Sequence, residues 1–412
     1  MNSAGADNDP APDAEGRPAV LVLGQGNRQS LTIVRSLHAL GYRTILGRDG
    51  RPGYVEVSRC VDEIWPHPPL AGDRQAFLDA LLRLIGGRPD LIAVFPSGDI
   101  EVEIFAKLAG ELPENVVAVM PDPTSALACL DKVVATNIAD TLGLPVAPYR
   151  VVPDMAGLND AVREIGLPCV VKPTQPRHLV RGRKAVICVS EDGVRSAFQG
   201  WPAGHGTLIV QEMVPGRLRA IQVASQAGRI LSAIQIDTLR SDRIDGIGFS
   251  CSMVTVPLSK NLLASTEHLL AHFRYMGVGE IQFQGVDDDS EHTFLELNPR
   301  PSGIAAFSYA LGHDYPALAL SLAADETVPT KATDVDYPTC VRGSSIHLDL
   351  SGMRRAYRGR EISLLGAIRW SGKAVFTLLR ARTDMTCSWR DRLPGIYGFL
   401  APTRGRRSTL DI

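Results

Sequence analysis

Glu296-Leu297-Asn298-Pro299-Arg300 sets a carboxylate and an amide two residues apart and follows them with a cation. Side chains alternate along a strand, so Glu296 and Asn298 share a face and offer two hard oxygen donors together. Such donors suit Mg²⁺, which keeps part of its coordination for phosphate oxygens. Gln282 supplies a third oxygen if its own run, Gly279–Gly285, pairs with Thr293–Leu297 across the acidic loop Asp287-Asp-Asp-Ser-Glu291. Arg300 then adds a fixed cation beside a transferred phosphoryl group. Upstream, Lys172 ends the apolar run Cys169-Val-Val-Lys172. A lysine in that position is costly unless its charge meets an anion, and phosphate is the natural partner. Lys132 opens a helix expected over Asp131–Leu142. Val210-Gln211-Glu212-Met213-Val214-Pro215-Gly216 reads as a strand end passing into an extended linker, whose backbone donors and acceptors can read the edge of a flat base.

The elements that must position these residues fall into two patterns. Ala19–Leu23, Thr44–Leu46, Leu91–Phe95 and Val116–Met120 are short apolar runs alternating with helical periodicity, which predicts a parallel, doubly covered, Rossmann-like α/β domain over residues 18–122. Gly24-Gln25-Gly26 ends the first run, but the third glycine of a dinucleotide fingerprint is replaced by Gln29, so the reading is a tight turn opening a helix. After Pro121-Asp122-Pro123 the pattern becomes α+β. Strands are expected at Cys169–Lys172, Ala185–Val189 and Thr207–Val210, and a hairpin joins Ala220–Ser225 to Ile230–Ile236 through Gln226-Ala-Gly-Arg229.

Of the 412 residues, 45% are hydrophobic and 21% charged, the balance of a globular chain with full cores. The formal charge of −2 excludes a whole-chain basic surface for nucleic acid. Seven scattered cysteines without a Cys-x-x-Cys pair read as small core residues in a reducing, cytoplasmic setting. Residues 1–17 are expected to be a disordered tail, and no apolar run reaches membrane-spanning length. The near-neutral total hides a split: residues 341–412 carry 14 basic against 5 acidic side chains, a net +9.

In their order along the chain, the helix lysine, the Val-Lys-Pro lysine, the Gln-Glu-Met-Val hinge and Glu-x-Asn-Pro-Arg resemble the ATP-grasp superfamily of ligases. The likeness covers roughly residues 18–325. The Gln282-Phe283 strand looks most like the carbamoyl-phosphate synthase version. The resemblance implies an ATP-grasp small subdomain over 123–205, a large subdomain over 206–330 and a C-terminal extension over 331–412. It also implies ATP and Mg²⁺, with Mn²⁺ as a substitute, as cofactors. Lys132 and Lys172 would contact the ATP phosphates, Gln211 to Val214 the adenine, Gln282, Glu296 and Asn298 the metal, and Arg300 the transferred phosphate.

Two departures from the family pattern stand out. The phosphate loop is basic rather than glycine-rich, with Arg177, His178, Arg181, Arg183 and Lys184, of which Lys184 is the expected triphosphate contact. The ribose-binding acid beyond the hinge is absent, since Arg217, Leu218 and Arg219 stand there. Arg240, Arg243, Ser302 and Asp99 are candidates for substrate contact. The expected reaction joins a small carboxylate to an amine through an acyl phosphate. Its rivals are carboxyphosphate chemistry and a silent ATP-binding regulator, and a homodimer is compatible with either. The basic tail segment is expected as an appendage beginning near residue 335. Its helix Leu364–Leu379 is expected to pack on the body with its arginines in water, the alternative being an anionic membrane or an acidic partner.

Overall fold

The computed structural model describes residues 16–400 apart from 25–27, 51, 71, 176–177, 181–182, 199–205, 287–291 and 327–335. Strands β1 (Ala19–Leu23), β2 (Arg43–Arg48), β3 (Glu63–Pro66), β4 (Leu91–Pro96) and β5 (Val117–Ala118) form a parallel sheet in the order β3-β2-β1-β4-β5. Helices α1 (Arg28–Ala39), α2 (Arg74–Gly86) and α3 (Asp99–Lys107) complete the unit. The apolar run of β1 is continuous because both of its faces are covered. Ala19, Leu21 and Leu23 pack with Phe77 and Leu81 of α2, and Val20 and Val22 with Leu31 and Val34 of α1. The strand order reverses between β1 and β4, which opens a crevice beyond their carboxyl ends. There the Ser30 and Ser97 hydroxyls meet at 2.7 Å, and α3 starts at Asp99. Of the Gly24 turn, residues 25–27 lie outside the described residues.

Helices α4 (Pro123–Leu130) and α5 (Lys132–Thr141) lead out of this unit. The Asp131 carboxylate accepts from the Val133 and Val134 amides, so α5 begins at Lys132. A small antiparallel sheet follows, ordered β6-β9-β7-β8, from β6 (Tyr149–Val152), β7 (Cys169–Pro173), β8 (Val186–Cys188) and β9 (Leu208–Glu212). Helices α6 (Met155–Ile165) and α7 (Glu191–Phe198) pack beneath it.

The third sheet has seven strands: β10 (Arg217–Gln226), β11 (Arg229–Ser241), β12 (Ser250–Thr255), β13 (Gly277–Gly285), β14 (Thr293–Asn298), β15 (Arg342–Ser344) and β16 (Thr383–Asp384), in the order β14-β13-β10-β11-β12-β15-β16. Ala227 at φ 50° and Gly228 at φ 85° make the two-residue turn between β10 and β11, whose left-handed pair matches the twist of the strands. Helices α8 (Lys260–Phe273), α9 (Ala305–Ala310) and α10 (Tyr315–Ala323) flank the sheet. Phe307 and Tyr315 of α9 and α10 share one apolar cluster with Leu31 of α1 and Ile234 of β11, so the first and third sheets are built on a common core.

The C-terminal segment is not the appendage expected from charge. β15 pairs with β12 in the large sheet, with Met253 opposite Gly343. Helices α11 (Ile346–Arg358), α12 (Leu364–Arg380) and α13 (Leu393–Leu400) follow on from it. Asp391, which is buried, accepts from Arg35 Nε of α1 at 2.8 Å, Ser58 Oγ at 2.7 Å and the Arg59 amide at 3.1 Å. Charge counting missed this because it cannot see a buried ion pair. We expect Asp391→Ala to lower unfolding free energy by roughly 3 kcal/mol, since Arg35 would be left without its carboxylate; denaturant unfolding checks it. Two further expectations change. Ala367, Ala374 and Thr377 of α12 face inward rather than its large apolar side chains. Five cysteines are buried, but Cys340 is exposed and Cys387 half-buried. No described helix is long and apolar enough to cross a membrane.

Candidate active site

The carboxyl end of β14 and the strand beside it build the floor of the site. In the register of β13 and β14, Gln282 lies opposite Glu296, and Glu280 opposite Asn298. Between them Ile281 and Leu297 point the other way, into a cluster with Phe283 and Phe294. Apolar burial of one face thus fixes four oxygen-bearing side chains on the other. Gln282 Nε2 donates to Glu280 Oε1 at 2.7 Å, and Asn298 Nδ2 donates to Glu296 Oε1 at 3.0 Å, so each amide steadies a carboxylate. Ser302 Oγ donates to the other oxygen of Glu280.

Glu280 was not among the residues singled out from sequence. The available signal was its spacing, two residues before Gln282 on the same strand. Burial raises its carboxyl above the ordinary range. No three His, Cys, Asp or Glu side chains among the described residues are arranged to hold a metal. The donor set present is two carboxylates and two amides, which fits Mg²⁺, because that ion takes one or two protein carboxylates and completes its shell with water and phosphate.

Arg300 is buried, and its fork reaches in several directions. Nε donates to Asp99 Oδ1 at 2.5 Å, Nη2 to Asn298 Oδ1 at 3.2 Å and Nη1 to the Pro301 carbonyl at 3.3 Å. Burial disfavours charge on Asp99, yet Arg300, Lys184 and Lys132 outweigh it and hold the carboxyl well below the usual range. Two residues on, burial, aided by Asp99, pushes Glu101 up to about 7. The first sheet therefore contributes to the site through the end of β4, where the sequence placed Asp99.

Three cations converge on Glu296. In β7, Cys169 and Val171 pack inward, which leaves Val170 and Lys172 on the opposite face; the cross-strand partners Gln211 and Ile209 of β9 lie with them. Burial and the nearby Lys132 bring Lys172 down to about 8, against the pull of Glu296. Burial opposes the Glu296 charge, but Lys132 and Lys184 keep the carboxyl below its ordinary value. Lys132 is held by its backbone, whose amide donates to the Thr174 carbonyl at 3.2 Å. Lys184 stands 3.7 Å from Asp99 and over the Phe249 ring at 5.8 Å. Arg183, just before β8, pairs with Asp245 in the connection between β11 and β12 at 3.1 Å. His178 is described, whereas Arg177 and Arg181 lie outside the described residues.

The hinge candidates close β9 and lead toward β10. Gln211 is buried, Glu212 and Met213 are exposed, and Val214 is half-buried. Gly216 has φ 110°, and a Cβ there would stand 2.1 Å from the Gly285 carbonyl oxygen, so only glycine lets this linker lie against β13.

The acceptor-side candidates separate. Asp99 and Ser302 join the site, though as partners of Arg300 and Glu280. Arg240 does not: its guanidinium is bound to Asp349, which also accepts from Trp370 Nε1 at 2.6 Å. The alternation of β11 carries Arg240 toward α11, and nothing local to its loop announces that partner. Arg243 lies half-buried near Arg355 and Arg183, and burial followed by those two charges lowers its pKa. Arg28, missed from sequence, opens α1 in the crevice. It donates to the Ser250 carbonyl at 3.2 Å and stands 3.3 Å from the position of a Cβ on Gly303.

The ATP-grasp domain family model matches residues 137–309, a span that opens just after Lys132 and holds the other strand-borne site residues. Formate-dependent phosphoribosylglycinamide formyltransferase of Proteus mirabilis is 28% identical over 214 residues, which is 49% of this chain and 51% of the relative. The Alcanivorax borkumensis protein of that name is 26% identical over 272 residues, 62% and 66% of the two chains. The chain thus spans about half to two thirds of the length of these curated relatives. Among solved structures, the ADP complex of N5-carboxyaminoimidazole ribonucleotide synthetase superposes with a TM-score of 0.63 at 16% identity, covering 83% of this chain and 86% of that one. L-amino acid ligase from Bacillus licheniformis gives 0.59 at 15% identity, covering 78% of each chain. The mixed parallel and antiparallel sheets are the fold of these proteins. Residues 137–309 thus match the ATP-grasp domain model, and the chain shares its fold with these solved structures over most of its length.

Proposed function

We propose that this protein is an ATP-dependent carboxylate–amine ligase that forms an amide through an acyl phosphate and releases ADP and phosphate. The observation that carries this reading is the convergence of Lys132, Lys172 and Lys184, from a helix start, a strand end and a loop, on the Glu296 carboxylate. Three lysines from separate elements acting on the carboxylates of Glu296 and Asp99 make a cradle for a polyphosphate and its divalent ion.

In this reading Lys132 and Lys172 hold phosphate oxygens, Lys184 covers them from the loop, and the backbone of residues 211–214 meets the base. Glu280, Gln282, Glu296 and Asn298 would hold Mg²⁺, which neutralises charge on the β- and γ-phosphates when bound. Arg300, locked by Asp99, faces the phosphoryl group as it passes to the substrate carboxylate. In this reading Arg243 receives that carboxylate, since Arg240 is committed to Asp349. An amine then attacks the acyl carbon and phosphate leaves.

The test is ATP turnover by the purified chain against panels of carboxylic acids and amines, with hydroxylamine as a trap. An acyl hydroxamate formed with ADP release supports ligation. ADP release that depends on bicarbonate alone would replace it with carboxyphosphate chemistry, and ATP binding without turnover on any carboxylate would leave a regulator.

A pH dependence follows from Lys172. In the free protein it loses its proton near 8, whereas bound phosphates favour the ammonium form. ATP binding above that pH is therefore coupled to proton uptake, and affinity falls as pH rises. We expect roughly a twentyfold weakening between about pH 7.5 and 9.5. Calorimetry in buffers of different ionisation enthalpy reads the uptake, and Lys172→Met removes it.

A further inference from the structure

Helix α12 has three sectors. Ala367, Ala374 and Thr377 are buried against the body. On the solvent side Leu364, Leu365, Ile368, Val375, Phe376 and Leu379 stand 48–79% exposed. At 100° per residue these six fall within one third of the helix circumference, with Gly372 among them. Arg369, Lys373 and Arg380 line one flank of that stripe, and Arg380 lies over the Phe376 ring at 4.6 Å. A contiguous exposed apolar stripe of this size marks an interaction surface rather than ordinary scatter.

The charge around the stripe decides what it fits. The segment's acidic residues are turned inward: Asp349, Asp384 and Asp391 are buried, bonded to Arg240, to Ser344 and the Ile346 amide, and to Arg35. Glu361 is the one exposed acid between residues 337 and 400, against ten exposed Lys and Arg. A second copy of this chain would bring the same cations against one another, with no carboxylate on α12 to receive them. A bilayer with acidic headgroups offers both an apolar layer and the opposite charge.

We propose that α12 docks this protein onto an anionic lipid surface, lying in the interface with Leu365, Ile368, Phe376 and Leu379 in the acyl boundary and Arg369, Lys373 and Arg380 at the headgroups. The structure serves the arrangement, because the helix is already folded and its inner face already spent on the body. Binding therefore requires no new secondary structure.

The full chain is sedimented with phosphatidylcholine vesicles and with vesicles carrying roughly 30% phosphatidylserine, at about 0.1 M salt. Binding is expected to be at least about tenfold tighter to the anionic vesicles and to be released near 0.5 M salt. Ile368→Ser with Phe376→Ser, and separately Arg369→Glu with Lys373→Glu, are each expected to cost about tenfold or more. All four side chains are exposed, so the melting temperature of each variant should match the parent, and that match separates lost docking from lost folding. Three outcomes overturn the proposal: no vesicle binding, equal binding to neutral vesicles, or a concentration-dependent dimer in sedimentation velocity that the serine variant abolishes. None of these readouts depends on ligase activity.

Discussion

Glu296→Ala is expected to lower ATP-dependent turnover about a thousandfold or more, while the chain still unfolds cooperatively at nearly the parental denaturant midpoint. The two halves of this expectation have different physical sources. Glu296 sits on the polar face of β14, and its hydrogen bond is to Asn298 Nδ2. The strand itself is held by Leu297 and Phe294 on the opposite face, which the substitution leaves in place. Removing the carboxylate therefore takes away a neutralising centre for Lys132 and Lys172 and the oxygen ligand proposed for the metal, without opening a cavity in the core. Glu296→Gln keeps the shape and one acceptor oxygen, so it isolates the charge. Turnover, Mg²⁺ dependence and urea unfolding, measured on the same preparations, check the split. Retained activity, or a collapse of stability, would remove Glu296 from the role assigned to it.

Arg300→Ala should be the more damaging change, because it acts on catalysis and on folding together. Its guanidinium bridges Asp99, at the end of the first parallel sheet, to Asn298 in the third sheet. Without it Asp99 keeps only the more distant lysines as counter-charges, and a largely buried carboxylate left short of its partner costs about 3 kcal/mol. Turnover should fall by roughly a thousandfold as well, since the cation proposed to face the phosphoryl group is lost. Arg300→Lys retains the charge and loses the fork that serves Asp99 and Asn298 at once. We expect it to recover most of the stability and little of the rate. Asp99→Asn with Arg300 intact should raise KM or lower kcat modestly, because the guanidinium would still be held by Asn298 and the Pro301 carbonyl.

Much of the candidate site's placement on strands was readable from local pattern. Lys172 at the end of an apolar run, and Glu296 with Asn298 two residues apart, are consequences of strand periodicity, which any stretch of sequence carries within itself. The hairpin of β10 and β11 was legible for the same reason, since Ala227-Gly228 suits a tight turn. The short strand β3 and the later strand β12 were not anticipated, and the capping of α5 by Asp131 moved its start by one residue.

Long-range choices were decided only by the folded chain. Arg240 and Asp99 looked alike from sequence, as polar residues beside apolar strands. Topology gave Asp99 to Arg300, 201 positions away, and sent Arg240 to Asp349, 109 positions away. The same holds for the basic C-terminal segment. Its composition marked it as distinct, yet β15 joins the large sheet and Asp391 closes on Arg35. The amphipathic pattern of α12 showed that a helix with an apolar side exists there. It did not reveal that the small residues Ala367 and Ala374 would take the inner face while Leu365, Ile368 and Phe376 turned outward. The physical reason is common to all these cases: periodicity states which side chains share a face, whereas the element that covers that face, and the charge that answers it, come from distant parts of the chain brought together by burial.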